Sequence, residues 1–505
     1  MGGGGPVLLR RDVWTLSNID PWHPTIAWYA TGVGALMQNG NLADPSSWLY
    51  LANMHGTFMN PATWPAGVGP LDWNACQHAS WFFLPWHRMY LHYFEKAVRA
   101  AVVAEGGPAS WALPFWFYDP AHPQTLALPP AFRSPTLPDG TTANPLYRAQ
   151  RNTIPTMNVN AGDPLPSAEV MPPQGGFVSN FVGSFPVSSF GGPVTGWHHD
   201  SSGSAGQLEA GIHGNVHVDV GGWTPTQGLM SQFETAGQDP IFWLHHANID
   251  RMWEVWRGDP SDTDPTDPAW LNHQFDFGSG AVQLSLNVQD VLDTTAAPLL
   301  YTYEGVPLPG HAIQDIALAL ANRPFDPGGP IEEPMADQRP AQLVGATEGP
   351  IALHSGASHA TIPVTPRKAV EAFAAGPQAL GMDATPAVQH TYLTLENVTG
   401  SRLPAGSYAV YVNVPEGKHP QQHPDRQAGH FSMFGVTEAS QPESEHGGSG
   451  MNFSFDITGL ARRLQESGDW DPGALRVSVA PTTALPKEAA VDGDVQIGRI
   501  GVYQD

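Results

Sequence analysis

Cysteine and lysine are scarce in this sequence of 505 residues. There is one cysteine, Cys76, and the lysines are Lys96, Lys368, Lys418 and Lys487. A single cysteine excludes an intramolecular disulfide and leaves the redox compartment open. The formal net charge is −25, so no basic face is available for nucleic acid or for an anionic lipid surface. We therefore expect neither a nucleic acid nor a membrane as a partner.

Long apolar runs are missing as well. No stretch reaches the roughly eighteen apolar residues of a membrane span, and no charged start is followed by the apolar and small-residue segments of a signal peptide. We expect a soluble chain that is cytoplasmic or exported by a route not visible in the sequence. Since 41% of the residues are hydrophobic, the chain can bury a sizeable core in two or three domains.

Histidine, with 21 copies, is abundant by contrast, which favours imidazole over thiolate as a metal ligand. Asp239 and Pro240 predict the start of a helix, because aspartate caps helices and proline suits the first helical position. Apolar residues recur through this helix to Trp256, yet His245 and His246 stand in the middle of the run. A buried histidine needs a partner, which is either a hydrogen-bonding group or a metal ion.

Further histidines stand in similar contexts. His213 and His217 are four positions apart, so both project from one face of a helix, which the glycine pair at 221–222 would end. His87 falls in the first turns of another predicted helix that follows Pro85. The six candidate ligands form two triplets, which are His55, His78 and His87, and His213, His217 and His246.

Six imidazoles without a carboxylate or thiolate among them suit copper, with zinc second. Three ligands per ion leave coordination positions open for chemistry. A dizinc hydrolase is an alternative, although it would normally bridge its ions with Asp or Glu. The other alternative is six unrelated core histidines, which would require the paired spacing and the helix placement to coincide.

After about residue 258 the chain changes character. Asp and Pro cluster there, and Pro-rich sequence continues to about residue 385, which predicts a surface linker. The later strand patterns predict an all-β sandwich or barrel with one short helix near 457–465. The predicted strands are Tyr392–Leu395, Tyr408–Val414, His430–Val436, Asn452–Asp456, Leu475–Val479 and Val495–Tyr503. We predict a mainly α domain at 1–320, a linker at 321–385 and a β domain at 386–505.

The motifs around these histidines resemble the two copper signatures of the tyrosinase, catechol oxidase and hemocyanin family, and the similarity covers about residues 50–257. They are His55, Cys76-Gln-His78, Pro85-Trp-His-Arg88, His213-Gly-Asn-Val-His217 and Asp239-Pro-Ile-Phe-Trp-Leu-His-His246 with Ala-Asn-Ile-Asp-Arg-Met-Trp253. The β-rich tail is more weakly similar to the C-terminal domain of latent polyphenol oxidases. The resemblance implies a type-3 centre of two copper ions in a four-helix bundle with long loops. It implies one triplet per copper, with His245 as a neighbour at the pocket wall.

Further site residues take their expected roles from this resemblance. Cys76 is expected to form a thioether to His78, with a plain buried thiol as the alternative. Phe233 matches a gate phenylalanine that leans over the first copper, with ordinary core packing as the alternative. Glu209 matches a water-orienting glutamate, but Gly214 stands where members that hydroxylate monophenols often carry asparagine. The water-holding pair is therefore incomplete.

Asp250 lies one helical turn after His246. We expect it either to position groups near the copper ligands or to form an ion pair on the helix surface with Arg251 or Arg257.

The resemblance implies oxidation of o-diphenols to o-quinones while O2 is reduced to water. Because the Glu–Asn pair is incomplete, we expect monophenol hydroxylation to be weak or absent. The alternatives are a tyrosinase or o-aminophenol oxidase, and an oxygen carrier like hemocyanin without turnover. We also expect the β domain to cover the copper pocket, with the Pro415–His430 loop as the plug.

Overall fold

The computed structural model describes residues 5–154, 156–173, 175–199, 203–223, 227–306, 341–364, 390–443, 447–471, 473–483 and 493–505. The N-terminal part, to residue 306, is mainly helical. Its helices are α1 (Val13–Ile19), α2 (Pro24–Gln38), α3 (Trp48–His55), α4 (Phe83–Ala104), α5 (Pro130–Arg133), α6 (Gly214–Gly221), α7 (Phe233–Ala236), α8 (Pro240–Trp256) and α9 (Pro268–Leu271). A π-helical turn, Glu209–His213, leads into α6. Among the described residues, no helix combines the length and apolarity that a bilayer crossing requires.

Helices α4 and α8 pack against each other at the centre of this part. The predicted start of α8 is confirmed, since the Asp239 carboxylate accepts a hydrogen bond from the Ile241 backbone N–H and Pro240 is the first helical residue. Helix α4 begins at Phe83, two residues before Pro85. A proline is tolerated there because the N–H groups of a first turn have no partner within the helix. The predicted end of α6 is also confirmed, and Gly222 adopts a φ of 86° beyond it.

Asp250 joins three segments of the N-terminal part from a buried position on α8. Its carboxylate accepts hydrogen bonds of 2.5 Å each from Arg88 Nε and from the hydroxyls of Tyr301 and Tyr303. Arg10 Nη1 donates to the same carboxylate at 3.4 Å. Burial alone would raise the pKa of Asp250, but Arg88 and Arg10 hold it below its ordinary value. The carboxylate is therefore ionised and paired inside the core.

The alternative of a surface ion pair between Asp250 and its helical neighbours Arg251 or Arg257 is wrong. The sequence could not identify Arg88 as the partner, because Arg88 lies on a different helix and 162 positions earlier in the chain. Arg88 directly follows His87, so the pair connects the two central helices at the level of the candidate ligands.

Replacing Asp250 with alanine should leave Arg88 and Arg10 buried without their shared anion. Breaking a buried ion pair in this way costs about 3–5 kcal/mol. We expect D250A to lower the free energy of unfolding of the metal-free protein by that amount, measured by urea unfolding with circular dichroism. The control is D425N at an exposed carboxylate paired with Arg426, which should change stability by less than about 0.5 kcal/mol. Equal losses in the two variants would contradict the buried network.

The C-terminal part, from residue 341, consists mainly of strands. They are β8 (Gln342–Ala346), β9 (Ile351–Ala352), β10 (Ser358–Ile362), β11 (Thr391–Thr399), β12 (Ser407–Val412), β13 (Gln427–Ser432), β14 (Met451–Asp456), β15 (Leu475–Pro481) and β16 (Gln496–Gln504). The helices of this part are α10 (Val436–Ala439) and α11 (Thr458–Glu466). The N-terminal part contains β1 (Leu8–Arg10), β2 (Thr153–Ile154), β3 (Met157–Asn158), β4 (Gly203–Ser204), β5 (Gln274–Phe277), β6 (Leu284–Asn287) and β7 (Tyr301–Tyr303).

Two sheets stack in the C-terminal part, as expected of a β-sandwich. One has the strand order β10-β15-β12-β13, and the other has the order β4-β14-β11-β16-β8 with β9 also paired to β16. The ring centroids of Phe431 on β13 and Phe453 on β14 lie 4.8 Å apart, so the two sheets share one core. Strand β4 comes from the N-terminal part and pairs in parallel with β14, which joins the two parts of the chain.

The prediction of a linker over 321–385 is wrong within the described range 341–364. Strands β8 and β9 pair with β16 there, and β10 pairs with β15. These strands are two to five residues long, which is too short for a periodic pattern to stand out in a Pro-rich stretch. The rest of the predicted linker, together with residues 307–320 and 386–389, lies outside the described residues.

Candidate metal centre

All six histidines of the two predicted triplets converge in the interior of the N-terminal part. Helices α3, α4 and α8 contribute one each, α6 with its π-helical turn contributes two, and the loop before α4 contributes His78. Each side chain is at most 2% exposed, which applies to His55, His78, His87, His213, His217 and His246. The sequence therefore identified a cluster whose members come from four separate stretches of chain.

Backbone carbonyls fix the orientation of these rings. The Nδ1 atoms of His55, His87 and His217 lie 2.8, 2.8 and 2.7 Å from carbonyl oxygens of Phe233, Phe83 and Met230, respectively. His213 Nδ1 lies 3.3 Å from the Glu209 carbonyl. An Nδ1–H group that donates to a carbonyl leaves the Nε2 lone pair free for a metal ion. The rings are thus held in the tautomer that metal binding requires.

The other ring nitrogens point into the cluster without hydrogen-bond partners. Within the described structure, the buried Nε2 atoms of His55, His78, His87 and His213 have none. His217 Nε2 and His246 Nε2 face each other at 3.2 Å. A buried nitrogen without a partner costs about 1–3 kcal/mol, so this many in one place call for a common ligand.

Burial lowers the pKa of all six histidines, to about 3 for His55 and well below the ordinary value for the others. Their mutual repulsion when charged acts in the same direction. The rings are consequently neutral near pH 7, which is the form that binds a metal ion.

The ligand atoms group in a slightly different way from the two predicted triplets. One set within 4.8 Å contains His213, His217, His245 and His246, and another contains His55, His87 and His246. A third set joins His55 and His78 to Cys76. His246 thus lies between the two triplets, and its ring stacks on that of His87 with centroids 4.5 Å apart. His245, the expected wall residue, has its Nδ1 3.2 Å from the Tyr118 hydroxyl.

Cys76 lies beside His78, as the expected thioether would require, and the thioether itself stays a prediction. The Sγ atom is 3.3 Å from His78 Nδ1 and 3.2 Å from His199 Nδ1. The sequence reasoning missed His199, which comes from the loop after β3. The adjacent histidines at 198–199 were the available signal, but they lie in a stretch without helical periodicity.

Phe233 covers the cluster from the side of the first triplet. Its ring stacks on His78 with centroids 4.2 Å apart and an interplanar angle of 12°. It contacts a second aromatic ring, that of Phe434, at 4.6 Å. This position fits both the expected gate and ordinary core packing, since Phe233 is 2% exposed.

Phe434 enters the centre from the C-terminal part, and the sequence analysis did not identify it. Its ring stacks on His217 with centroids 4.0 Å apart and approaches His213 at 5.7 Å and His78 at 6.3 Å. The sequence analysis placed this residue inside the predicted strand His430–Val436, where an apolar side chain would belong to the sheet. The strand β13 ends at Ser432, and Gly435 with a φ of 82° turns the chain so that Phe434 projects from the sheet.

The prediction that the Pro415–His430 loop is the plug is wrong. Much of this loop is exposed, and the side-chain bonds that hold it are to the C-terminal part: Gln421 donates to the Pro481 carbonyl, and Arg426 pairs with Asp469. The polar composition that suggested a plug is instead that of a solvated surface loop.

Glu209 and Gly214 lie together where the C-terminal part meets the centre. Glu209 Oε1 accepts a hydrogen bond from the Ala79 N–H at 2.8 Å, and its Oε2 has no partner in the described structure. Burial raises the pKa of Glu209 to about 8. With Ser432 and Phe434, both residues line a cavity of about 10 Å³, which is the size of one water molecule.

Comparisons with known proteins agree with this geometry. A model of the common central domain of tyrosinase matches residues 45–259, and one of the polyphenol oxidase middle domain matches residues 264–313. Tyrosinase HcTyr1 of Hahella sp. (strain CCB-MM4) is 31% identical over 520 residues, which cover 98% of this chain and 99% of that protein. The chain belongs to the tyrosinase family.

Other tyrosinase-family relatives match a smaller share of the chain. The chloroplastic (+)-larreatricin hydroxylase of Larrea tridentata is 34% identical over 292 residues, which cover 54% of this chain and 45% of that protein. Residues 340–505 match a model described as a domain of unknown function. In fold, the chain is similar to latent apple tyrosinase, with a TM-score of 0.60, 21% identity and coverage of 100% and 98% of the two chains. Recombinant latent aurone synthase gives a TM-score of 0.59 at 19% identity, with 100% and 90% covered.

The family's type-3 centre holds two copper ions, and the buried histidine cluster fits it. The unpartnered Nε2 atoms, the neutral rings and the imidazole donors suit copper, as the sequence led us to expect. The resemblance stated from the motifs is therefore confirmed, together with the mainly α fold and its β-rich C-terminal region.

The adjacent residues His245 and His246 allow a matched test of the ligand assignment. We expect H246Q to lose about one of the two copper ions per chain, because it leaves the second copper with two of its three proposed imidazole ligands. H245Q should keep both ions, since the ring of His245 is paired with the Tyr118 hydroxyl and is not one of the six proposed ligands. The number of copper ions per chain after dialysis, measured by inductively coupled plasma mass spectrometry, distinguishes the two variants. Equal loss in both, or loss only in H245Q, would overturn the assignment.

Proposed function

We propose that this chain oxidises o-diphenols to o-quinones and reduces O2 to water at a dicopper centre. In this proposal one copper is bound by His55, His78 and His87, and the other by His213, His217 and His246. The observation that carries the proposal is the convergence of these imidazoles, with ring nitrogens unpartnered, in a buried pocket. When bound, the copper pair supplies the capacity to activate O2 and to accept the two electrons of a diphenol.

The chain's own residues would orient the copper ligands and exclude water. The carbonyls that accept from the Nδ1 atoms hold four of the rings in place, and the Arg88–Asp250 pair holds α4 and α8 together. Phe233, stacked on His78, would present an aromatic wall to an incoming phenol ring. We also propose that the thioether between Cys76 and His78 would fix that imidazole.

Monophenol hydroxylation is proposed to be the weaker activity. It requires removal of the phenol proton near the copper pair, and Gly214 has no side-chain amide that could hold a water molecule together with Glu209. A tyrosinase that uses both substrates well is the alternative, and the similarity to the tyrosinase HcTyr1 favours it.

The two activities are separated by comparing 4-methylcatechol with tyramine on the copper-loaded chain. We expect kcat/KM for the catechol to exceed that for tyramine by a factor of at least about 100, as a lost general-base contribution would give. Oxygen consumption measures both rates, before and after cleavage of the C-terminal part. Comparable values for the two substrates would favour the tyrosinase alternative.

We further propose that the C-terminal part keeps the enzyme latent by means of Phe434. Its ring lies over His217 and close to His213 and His78, which is where a phenol ring would approach the copper pair. A substrate and this side chain could not occupy the pocket together, because the ring is in van der Waals contact with the ligands.

The variant F434A should raise the diphenol oxidase activity of the intact chain by roughly tenfold or more, since deleting a buried phenylalanine weakens closure by about 3–5 kcal/mol. After cleavage of the C-terminal part, F434A and the unmodified chain should have equal activity. The control is T437A, a truncation one turn further along in α10 at a half-buried side chain that is not in the pocket. Latency would not depend on Phe434 if F434A and T437A stayed equally inactive.

A further inference from the structure

Gly214 occupies a position where the backbone does not require glycine. Its φ of −65° and ψ of −36° are those of an ordinary right-handed helix. Glycine destabilises such a position relative to alanine because it loses more conformational freedom on folding. A reason outside the helix is therefore needed to account for it.

The reason is the close approach of the C-terminal part. A Cβ atom on residue 214 would lie 2.7 Å from Ser432 Cβ and 2.8 Å from Ser432 Oγ, both shorter than real contacts of this kind. The next nearest atom, the Glu209 carbonyl oxygen, would be at 3.4 Å, which is ordinary contact. Within the N-terminal part a Cβ atom at residue 214 would thus make ordinary contact, and its two short contacts are both with Ser432.

Strand pairing and a hydrogen bond hold Ser432 in position. It is the last residue of β13 and lies opposite Ser407 in the register with β12. Its Oγ accepts a hydrogen bond from the Phe434 N–H at 3.0 Å, so Ser432 and the pocket residue Phe434 form one local unit. Moving Ser432 away from α6 would therefore displace Phe434 from the copper ligands.

The residue after Gly214 fixes the alignment of the two parts. Asn215 Oδ1 accepts a hydrogen bond of 2.9 Å from the Ser407 hydroxyl, and its Nδ2 donates to the Glu169 carbonyl at 3.0 Å. Asn215 and Ser407 are both buried. This polar contact sets the register of β12 and β13 on α6, and in that register Ser432 faces the missing side chain of residue 214.

We infer that Gly214 is the docking position for the C-terminal part, and that any side chain at this residue is incompatible with the closed form. One position then controls two properties. Gly214 lacks the side-chain amide that would assist monophenol hydroxylation. Because it has no Cβ, it also lets Ser432 approach α6 and Phe434 reach the copper ligands. This inference rests on the proposed latency for its effect on activity, but the contact between residues 214 and 432 does not depend on it.

The decisive variant is G214A in the full chain, because alanine adds only the Cβ and favours the helix. The activity before cleavage of the C-terminal part, divided by the activity after it, should rise by roughly tenfold or more as overpacking opens the interface. Using this ratio cancels any direct effect of residue 214 on the chemistry. In the metal-free protein, amide hydrogen exchange of residues 427–434 should also become faster in G214A.

Changes at Ser432 provide the matched controls. S432G and S432A lose the hydroxyl that accepts from the Phe434 N–H, but each should stay latent, since the pairing of β13 with β12 and the Met433 N–H bond to the Gly406 carbonyl still hold the chain beside Phe434. The double variant G214A/S432G should recover latency and slow exchange, because the added methyl group takes the space that Ser432 vacates. G214A/S432A should not recover, as the Cβ of residue 432 still lies 2.7 Å from the added atom.

The outcomes separate this inference from the proposed function. If F434A activates the intact chain but G214A stays latent with unchanged exchange, the docking role of Gly214 is wrong while latency stands. If cleavage activates neither the unmodified chain nor F434A, the proposed latency is wrong, and the exchange of residues 427–434 in G214A still decides the contact. Faster exchange in G214A that S432G does not reverse would also overturn the inference.

Discussion

The arrangement of the core depends on imidazole rings that are hydrogen-bonded on one side and unpartnered on the other. Backbone carbonyls accept from the Nδ1 atoms of His55, His87, His213 and His217, so the Nε2 atoms of these rings point into a buried interior. Each unsatisfied nitrogen opposes folding by about 1–3 kcal/mol unless a ligand is present. A pair of metal ions removes this penalty, so metal binding and the packing of the N-terminal part stabilise each other.

Two of the helices that carry these rings, α4 and α8, are joined by an ion pair between residues that are not proposed copper ligands. Arg88 follows His87 on α4, and Asp250 stands one turn beyond His246 on α8, so their 2.5 Å contact fixes the two helices beside the ligands. Tyr301 and Tyr303 complete the shell of the carboxylate, and they bring the N-terminal strand β1 with them through its pairing with β7. Since the carboxylate has several donors, the burial of three charged side chains is compensated locally.

The sequence predicted what is encoded over a few residues and missed what depends on distant pairing. The spacing of His213 and His217 and the Asp239 cap are local signals, and both proved reliable in placing helices. Arg88 and Asp250 are far apart in the chain, so their pairing carries no local pattern. Phe434 looked like one more apolar residue of a strand, because its position over His217 depends on a turn that removes it from the sheet. The strands at 342–362 were mistaken for linker because runs of two to five residues are too short for alternation to be read, and their pairing with β15 and β16 is distant in sequence.

Helix α6 packs against both parts of the chain, so the N-terminal part and the C-terminal part share one core there. All eight of its residues, Gly214–Gly221, are buried, and no amphipathic stripe marks one face as solvent-exposed. His217 lies at the metal centre, Gly214 one turn before it faces Ser432, and Asn215 accepts a hydrogen bond from Ser407. The sequence of this helix must satisfy two neighbours at once, which accounts for its small and polar residues. The outer face of α6 is therefore core only while the C-terminal part is in place, and the stability of this ligand-bearing helix depends on the domain that closes over it.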